Sequence, residues 1–382
     1  MPANSVRKVY RGLGLMSGSS MDGIDLALCR LVIKQPAPGR VIEEWQLEHC
    51  NTHPLPDKWK DRLKRLPDAS ARDISRDHTA FGRFLASVVQ PFIARCPHPP
   101  DFISLHGHTI FHEPEAGFTL QLGDGETLAA LTGYTVVDDF RKKDIAAGGQ
   151  GTPLAPIADQ MLFWGRTFYL NLGGIVNISC VSQNATLACD ITGGNQLLDY
   201  LARQLGAAFD AGGELARNGE VIPALIDLAE ALPYHQQSYP KSLDNRWVRE
   251  SLIPVFDKFE AGVEDKLNSA CRFIARQIAR MIANIKDDLK LDGNAHVMMV
   301  SGGGAKNLYL LDCIRAECPT LELEVPEDVW VDYKEASLMA LMGVLRLEGV
   351  PNCLASATGA SMDTVGGAVH WGWRKNTFSK HL

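Results

Sequence analysis

The sequence predicts an α/β protein made of two similar halves that face each other. Three observations carry this expectation. A strand, polar turn and strand lie close to the N-terminus, the same device returns about 160 residues later, and amphipathic helices dominate the second half. In the first copy, VYRGLGLM alternates and runs into Ser17-Gly18-Ser19-Ser20. Asp22-Gly23 then turns the chain and Ile24 resumes an apolar run, a hairpin signal. After the turn-forming QPAPG, RVIEEWQLEHC reads as a third antiparallel strand. Residues 57–95 place Leu63, Leu66, Phe81, Phe84, Leu85 and Val88 at helical spacing. CPHPP ends that helix, and DFISLHG reads as a buried strand closed by glycine.

The second copy is TFYLNLGGIVNISCVS, a strand, a Gly-Gly turn and a strand, followed by the shorter run ATLACDITGGN. An offset of this size suits a duplicated domain and not a solenoid. The glycine-rich AAGGQGTPLAP, residues 146–156, reads as a crossing or hinge between the halves. Helical periodicity follows in NQLLDYLARQLG, KLNSACRFIARQIARMIANIKDDL and KEASLMALMGVLRLEG, with the strand and glycine triplet of HVMMVSGGGAKN before the last of them. The expected division is residues 1–145 plus 350–382 in one domain and 146–349 in the other.

Composition narrows the function classes. With 45 acidic against 38 basic residues, the net charge of −7 argues against a nucleic-acid-binding surface. Arg141-Lys142-Lys143 is a local exception, set among Asp138, Asp139 and Asp144, and reads either as an ion network or as an anion site. The nine cysteines are scattered without a C-x-x-C pair, as in a reducing cytoplasm. The N-terminus lacks the apolar core of a signal peptide, and no apolar run approaches the ~20 residues of a membrane span. A soluble cytoplasmic protein is expected.

The turns carry the chemistry. Small residues at 17–20 let backbone N–H groups approach an anion, and Asp22 and Asp25 can hold a cation that bridges phosphates. Gly302, Gly303 and Gly304, between strand and helix, place amides where a nucleotide can dock, though a tight connection needs such glycines too. A nucleotide between the turns of the two halves is the expectation. His106, His108 and His112 invite a metal reading, because H-x-H on a strand puts two imidazoles on one face; substrate contact or core packing are the other readings. Lys241 either reaches a phosphate or lies over the surface.

Taken together, GLMSGSSMDGIDLAL, SLHGHTIFHEP, VVDDFRKKDIAAGGQGTPLAP, LNLGGIVNIS, SGGGAKN, KEASLMALM and PNCLASATGAS resemble the anhydro-N-acetylmuramic acid kinases over nearly the whole chain. That family belongs to the superfamily of actin, sugar kinases and Hsp70 ATPases. Ser19 stands where the family usually has threonine, and His108 where it has glutamine. The family's Phe-Asp-x-Gly-Pro-Gly-Asn is CDITGGN here, keeping Asp190, Gly194 and Asn195 but carrying Thr192-Gly193. Its Pro-Lys-Ser-Thr-Gly-Arg is PKSLDNR.

The resemblance implies two RNase H-like domains flanking a nucleotide-binding cleft, and ATP and Mg²⁺ as cosubstrate and cofactor. It implies a reaction in which water opens 1,6-anhydro-N-acetylmuramic acid while O6 is phosphorylated, a step in peptidoglycan recycling. Asp190 would be the catalytic base. Gly18, Ser19, Ser20, Asp22, Gly23, Asp25, Gly173, Gly174, Asn177, Gly302, Gly303 and Gly304 would hold ATP, with Asp22 also toward Mg²⁺. His106, Thr109, Arg141, Asp144, Gly194, Asn195 and Glu335 would line the sugar site. A homodimer is the family expectation. The altered motifs leave a kinase for another anhydrosugar such as levoglucosan, or a non-catalytic sugar or nucleotide sensor, as alternatives.

Overall fold

The computed structural model describes residues 6–18, 21–35, 41–182, 186–239, 241–291 and 296–374. By internal contacts the chain forms two compact units, Met1–Trp164 with Tyr333–Leu382, and Gly165–Asp332. In chain order the first unit supplies strands β1 (Val6–Ser17), β2 (Gly23–Gln35), β3 (Ile42–Pro54), β4 (Phe102–Leu105), β5 (His108–Glu113), β6 (Phe118–Leu122) and β7 (Thr135–Asp138). The second supplies β8 (Phe168–Leu172), β9 (Ile175–Val181), β10 (Thr186–Gly193), β11 (His296–Ser301) and β12 (Leu321–Glu324). The chain then returns to the first unit and adds β13 (Ala368–His370).

The two main sheets are ordered β13-β7-β4-β1-β2-β3 and β10-β9-β8-β11-β12. In each, the first three strands run antiparallel in sequence order, a fourth joins the first strand in parallel and a fifth joins the fourth in parallel. This order, third-second-first-fourth-fifth, is that of an RNase H-like domain, and it occurs twice. The repeated strand–turn–strand in the sequence is therefore the start of each sheet. Each sheet is covered by its own helices. Phe81, Leu85 and Val89 of the helix Ala71–Ile93 share a core with Leu13, Leu26 and Ile103. Phe273, Ile274 and Ile278 of the helix Val263–Leu289 share the other with Leu170, Val176 and Ile178.

Two features depart from the expected pattern. The segments 146–164 and 333–349, placed by sequence with the second domain, make their contacts within the first unit. The helix Lys334–Leu347 lies on β1 so closely that a Cβ on Gly14 would stand 1.8 Å from the Ala336 carbonyl oxygen. Ser104 Oγ donates to the Met339 carbonyl at 2.5 Å. Lys334 Nζ pairs with the buried Asp159 at 2.7 Å, and Trp45 Nε1 donates to the Leu162 carbonyl at 2.7 Å, so the preceding segment is tied down as well.

The first turn also differs from an Asp-Gly hairpin. It closes at Gly18, whose carbonyl accepts from Met21 N–H at 3.2 Å, and Met21 takes the left-handed φ of 58°. Gly23 already belongs to β2. Its glycine is required by space, since a Cβ would meet His53 O and Thr52 Cγ2, both at 2.7 Å.

β13 covers the outer edge of β7 and is held there by a charged clasp. His370 Nε2 lies 3.0 Å from Asp138 Oδ1 and Nδ1 lies 2.9 Å from Glu126 Oε2. The hydrogen bond to Asp138, with that carboxylate's charge and Glu126 behind it, raises the imidazole to about 9 against the opposing effect of burial. A folded-state value above the unfolded one of about 6.5 means the stabilisation is complete below that pH and is lost as pH rises through about 9. Denaturant midpoints measured at both ends of this window should fall at the alkaline end, and His370→Gln should flatten that slope. An unchanged slope in the variant would remove His370 as its source.

Candidate active site

In the first unit, the β1–β2 turn presents Gly18, the exposed Asp22 and Gly23, and Ser19 and Ser20 lie outside the described residues. Asp25 sits two residues further along β2, where its Oδ1 accepts from Thr52 Oγ1 at 2.6 Å. Behind the turn, buried Ser17 Oγ and His108 Nδ1 lie 3.1 Å apart.

His106 and His108 do not share a strand face. Gly107, with φ +80°, breaks the strand between them. His106 is the acceptor for Arg141, whose Nε and Nη2 reach its Nε2 at 3.1 and 3.0 Å. Arginine can only donate, so the ring proton is on Nδ1, which donates to the Gly107 carbonyl at 2.9 Å. Burial first, and the Arg141 charge second, push His106 down to about 3 and keep it neutral. His112 turns to Thr119 at 3.2 Å instead. Among the described residues no group of three or more His, Cys, Asp or Glu side chains is placed to hold a metal ion.

Arg141 also donates through Nη1 to the Gly151 carbonyl at 3.2 Å. Of its five N–H groups two remain without a partner among the described residues, one on each terminal nitrogen, and together they form a fork. Asp144 does not offer itself to a ligand: it is fully buried, Oδ2 accepting from Gly151 N–H and Oδ1 from Thr358 Oγ1, each at 2.7 Å. Glu335 opens the helix on β1 and stays solvent-accessible. Desolvation by the surrounding protein, then the Asp25 carboxylate, push its carboxyl up, and Arg141 and Lys334 oppose this. Thr109 is exposed and takes a hydrogen bond from Gln121 at 3.3 Å.

In the second unit the expected residues converge at one end of the sheet. Gly194 N–H and Asn195 N–H donate to the Gly174 and Gly173 carbonyls, both at 2.9 Å. Asn195 Nδ2 donates to the Leu172 carbonyl at 3.1 Å. Gly302, with φ +85°, sits so near Asn171 that a Cβ would be 2.4 Å from its Oδ1, and Gly304 is confined by Leu172 and Asn195. Gly303 is different: nothing but Asn195 Nδ2, at 3.4 Å, would meet its Cβ, so the packing does not demand glycine there. Open space over a glycine that the fold does not require suits a closely approaching ligand.

Asp190 faces Asn177 across the β10–β9 pair. Its Oδ2 accepts from Leu243 N–H at 2.7 Å, and Oδ1 has no hydrogen-bond partner among the described residues. Burial pushes the carboxyl up and the Leu243 amide partly counters this. The carboxylate is thus oriented by one oxygen, with raised basicity. Its backbone is pinned too: Asp190 N–H donates to the Lys241 carbonyl at 3.0 Å, and its carbonyl accepts from Tyr234 Oη at 2.8 Å. Lys241 does not reach outward. Its ammonium donates to the Tyr234 carbonyl at 3.1 Å and lies 4.5 Å from the Tyr234 ring centre. Tyr234 and Leu243 were not legible as site residues, because their contributions are a hydroxyl to a backbone carbonyl and a main-chain amide, neither of which leaves a motif.

Oxygen donors at the first turn suit Mg²⁺, a hard cation that is usually held by one or two carboxylates together with phosphates and water. Asp22, exposed at that turn, and Asp25 beside it are of that type.

Two RNase H-like units, each with a glycine-bearing turn after its first strand, are the architecture of the actin, Hsp70 and sugar-kinase class. Residues 10–372 match the family model for anhydro-N-acetylmuramic acid kinase, and the chain belongs to that family. Relatives bearing that name include proteins of Mannheimia succiniciproducens (31% identical, covering 94% of this chain and 98% of the relative), Coxiella burnetii (32%; 96% and 99%) and Shewanella amazonensis (33%; 93% and 97%). Among solved structures, the activator of the 2-hydroxyisocaproyl-CoA dehydratase from Clostridium difficile aligns over 86% of this chain and 92% of its own at 12% identity, with a TM-score of 0.34. At that score the likeness adds nothing to the family assignment.

Proposed function

We propose that this protein transfers the γ-phosphoryl group of ATP to O6 of 1,6-anhydro-N-acetylmuramic acid while water adds at C1, yielding N-acetylmuramic acid 6-phosphate for cell-wall recycling. The carrying observation is Asp190, desolvated and held by one oxygen with the other left to accept a proton. In this reading water attacks C1 and gives its proton to Asp190. The C1–O6 bond breaks, and O6 takes the phosphoryl group. Attack opposite the leaving oxygen follows the logic of an inverting glycosidase, with phosphoryl transfer in place of protonation.

The remaining roles are those that the family's motifs assign to matching positions, and local contacts support some of them. The Arg141 fork, backed by neutral His106 and the Gly151 carbonyl, suits the lactyl carboxylate of a muramic sugar. Asp144 acts one step back, holding Gly149 through its carbonyl and Gly151 through its side chain, and the Gly151 carbonyl in turn accepts from Arg141. Glu335, Thr109, Gly194 and Asn195 complete the sugar side. Gly18, Ser19, Ser20, Gly23, Gly173, Gly174, Asn177 and Gly302–Gly304 take the nucleotide. Asp22, with Asp25 near it, would hold Mg²⁺, which when bound would neutralise charge on the phosphates. A cytoplasmic setting is supported by nine cysteines that are all free thiols, and a homodimer completes the reading.

The test is ADP release by the purified protein with ATP, Mg²⁺ and 1,6-anhydro-N-acetylmuramic acid, with levoglucosan in parallel and mass spectrometry of the product. Addition of one phosphate and one water to the muramic sugar is expected. Turnover of levoglucosan alone would sink the substrate assignment, and no turnover of either sugar despite ATP binding would sink the kinase reading.

A further inference from the structure

The pairing of β10 with β9 slips beside Asp190. Asp190 lies opposite Asn177 and Thr192 opposite Val176, so Ile191 is an extra residue in the ladder. A bulge of this kind re-aims the neighbouring side chain. What fixes it here is a directed chain of hydrogen bonds. His235 Nδ1 lies 2.9 Å from the Ala229 carbonyl, which can only accept, so Nδ1 carries the proton. Nε2 is then the acceptor, and Thr192 Oγ1 donates to it across 3.1 Å. Neither partner is open to solvent, Thr192 at 0% and His235 at 3% exposure. The imidazole is walled edge-on by Tyr234, Trp247 and Phe273, with ring centres 5.2–5.9 Å away. Tyr234, next in sequence, donates to the Asp190 carbonyl itself. The hydroxyl thus arrives at the position where the CDITGGN motif departs from the family's glycine, and its proton is used by His235.

We propose that the Thr192–His235 hydrogen bond pegs the bulge in β10 and thereby aims the Asp190 carboxylate, making Thr192 and His235 positioning residues of the reaction. The proposal rests on the reading of Asp190 as the base. Without the peg the ladder is free to shift across the extra residue, and a displacement of the base by about an ångström is enough to cost roughly 10²-fold in rate.

The test compares Thr192→Val, Thr192→Ser and the double variant Thr192→Val/His235→Phe, with Asp190→Asn as reference, reading kcat, both KM values and Tm for each. Thr192→Val, which keeps the shape but removes the donor, should lower kcat roughly 10- to 100-fold with both KM values held, and should lower Tm. Thr192→Ser should recover turnover. The double variant replaces both partners by apolar groups, a change that is close to neutral for stability. The Ala229 carbonyl keeps Leu232 N–H as a donor at 3.3 Å. Its Tm should therefore return toward the parent while kcat stays low. Recovery of kcat in step with Tm would show a purely structural pair and overturn the proposal. So would full turnover in Thr192→Val while Asp190→Asn is inactive. Turnover retained in Asp190→Asn would instead remove the base, and the aiming role with it.

Discussion

Asp190→Asn should bind ATP as the parent does and lose kcat by roughly 10²- to 10⁴-fold, the range that a general base supplies. The substitution is nearly isosteric, and an amide oxygen can still accept from Leu243 N–H as Asp190 Oδ2 does at 2.7 Å. What disappears is the ability of the opposite atom to take a proton. Single-turnover ADP release and ATP titration, measured on the same preparation, separate the two effects. A fall in ATP affinity matching the fall in rate would mean that Asp190 serves the nucleotide and not the water. Turnover within about tenfold of the parent, below the usual contribution of a positioned base, would take it out of the mechanism altogether.

The second large effect is on folding. Gly14→Ala would put a methyl group 1.8 Å from the Ala336 carbonyl oxygen and 2.8 Å from the Ala340 nitrogen. Both obstacles are backbone, so no rotamer change relieves them. The helix Lys334–Leu347 must lift from β1, at a cost of roughly 3 kcal/mol, the upper end for overpacking. Gly303→Ala is the contrast. Its Cβ meets nothing nearer than 3.4 Å, so that variant should unfold at the parent's denaturant concentration. Equal midpoints for Gly14→Ala and the parent would show that the helix has room to move.

These two glycines also mark what the sequence could and could not reveal. The sheets were legible because alternation and the repeated turn are local. Each sheet begins with three strands joined in order, so near neighbours in sequence pair. The allegiance of residues 333–349 was not legible, because it depends on Gly14 meeting Ala336 across more than 300 residues, and that of 146–164 because it depends on Trp45 reaching Leu162 and Lys334 reaching Asp159. The Asp22-Gly23 signal marked the correct loop for a different reason, since Met21 carries the positive φ and Gly23 is small to admit β3. The H-x-H spacing does not put two imidazoles on one face, because Gly107 interrupts the strand on which a shared face depends. Asp190 could be proposed from its motif. The groups that orient it, Leu243 N–H and Tyr234 Oη, come from 53 and 44 residues away.

The clasp on β13 matters for handling the protein as well as for its pH response. β7 is buried along its whole length, pairs with β4 on one side and relies on a three-residue strand to close the other. A chain ended before Ala368 would leave a row of unpaired amides and carbonyls beside Val136 and Val137, an invitation to strand pairing between molecules. The C-terminal segment thus works as a seam, and expression fragments and fusion junctions belong beyond it, not within it.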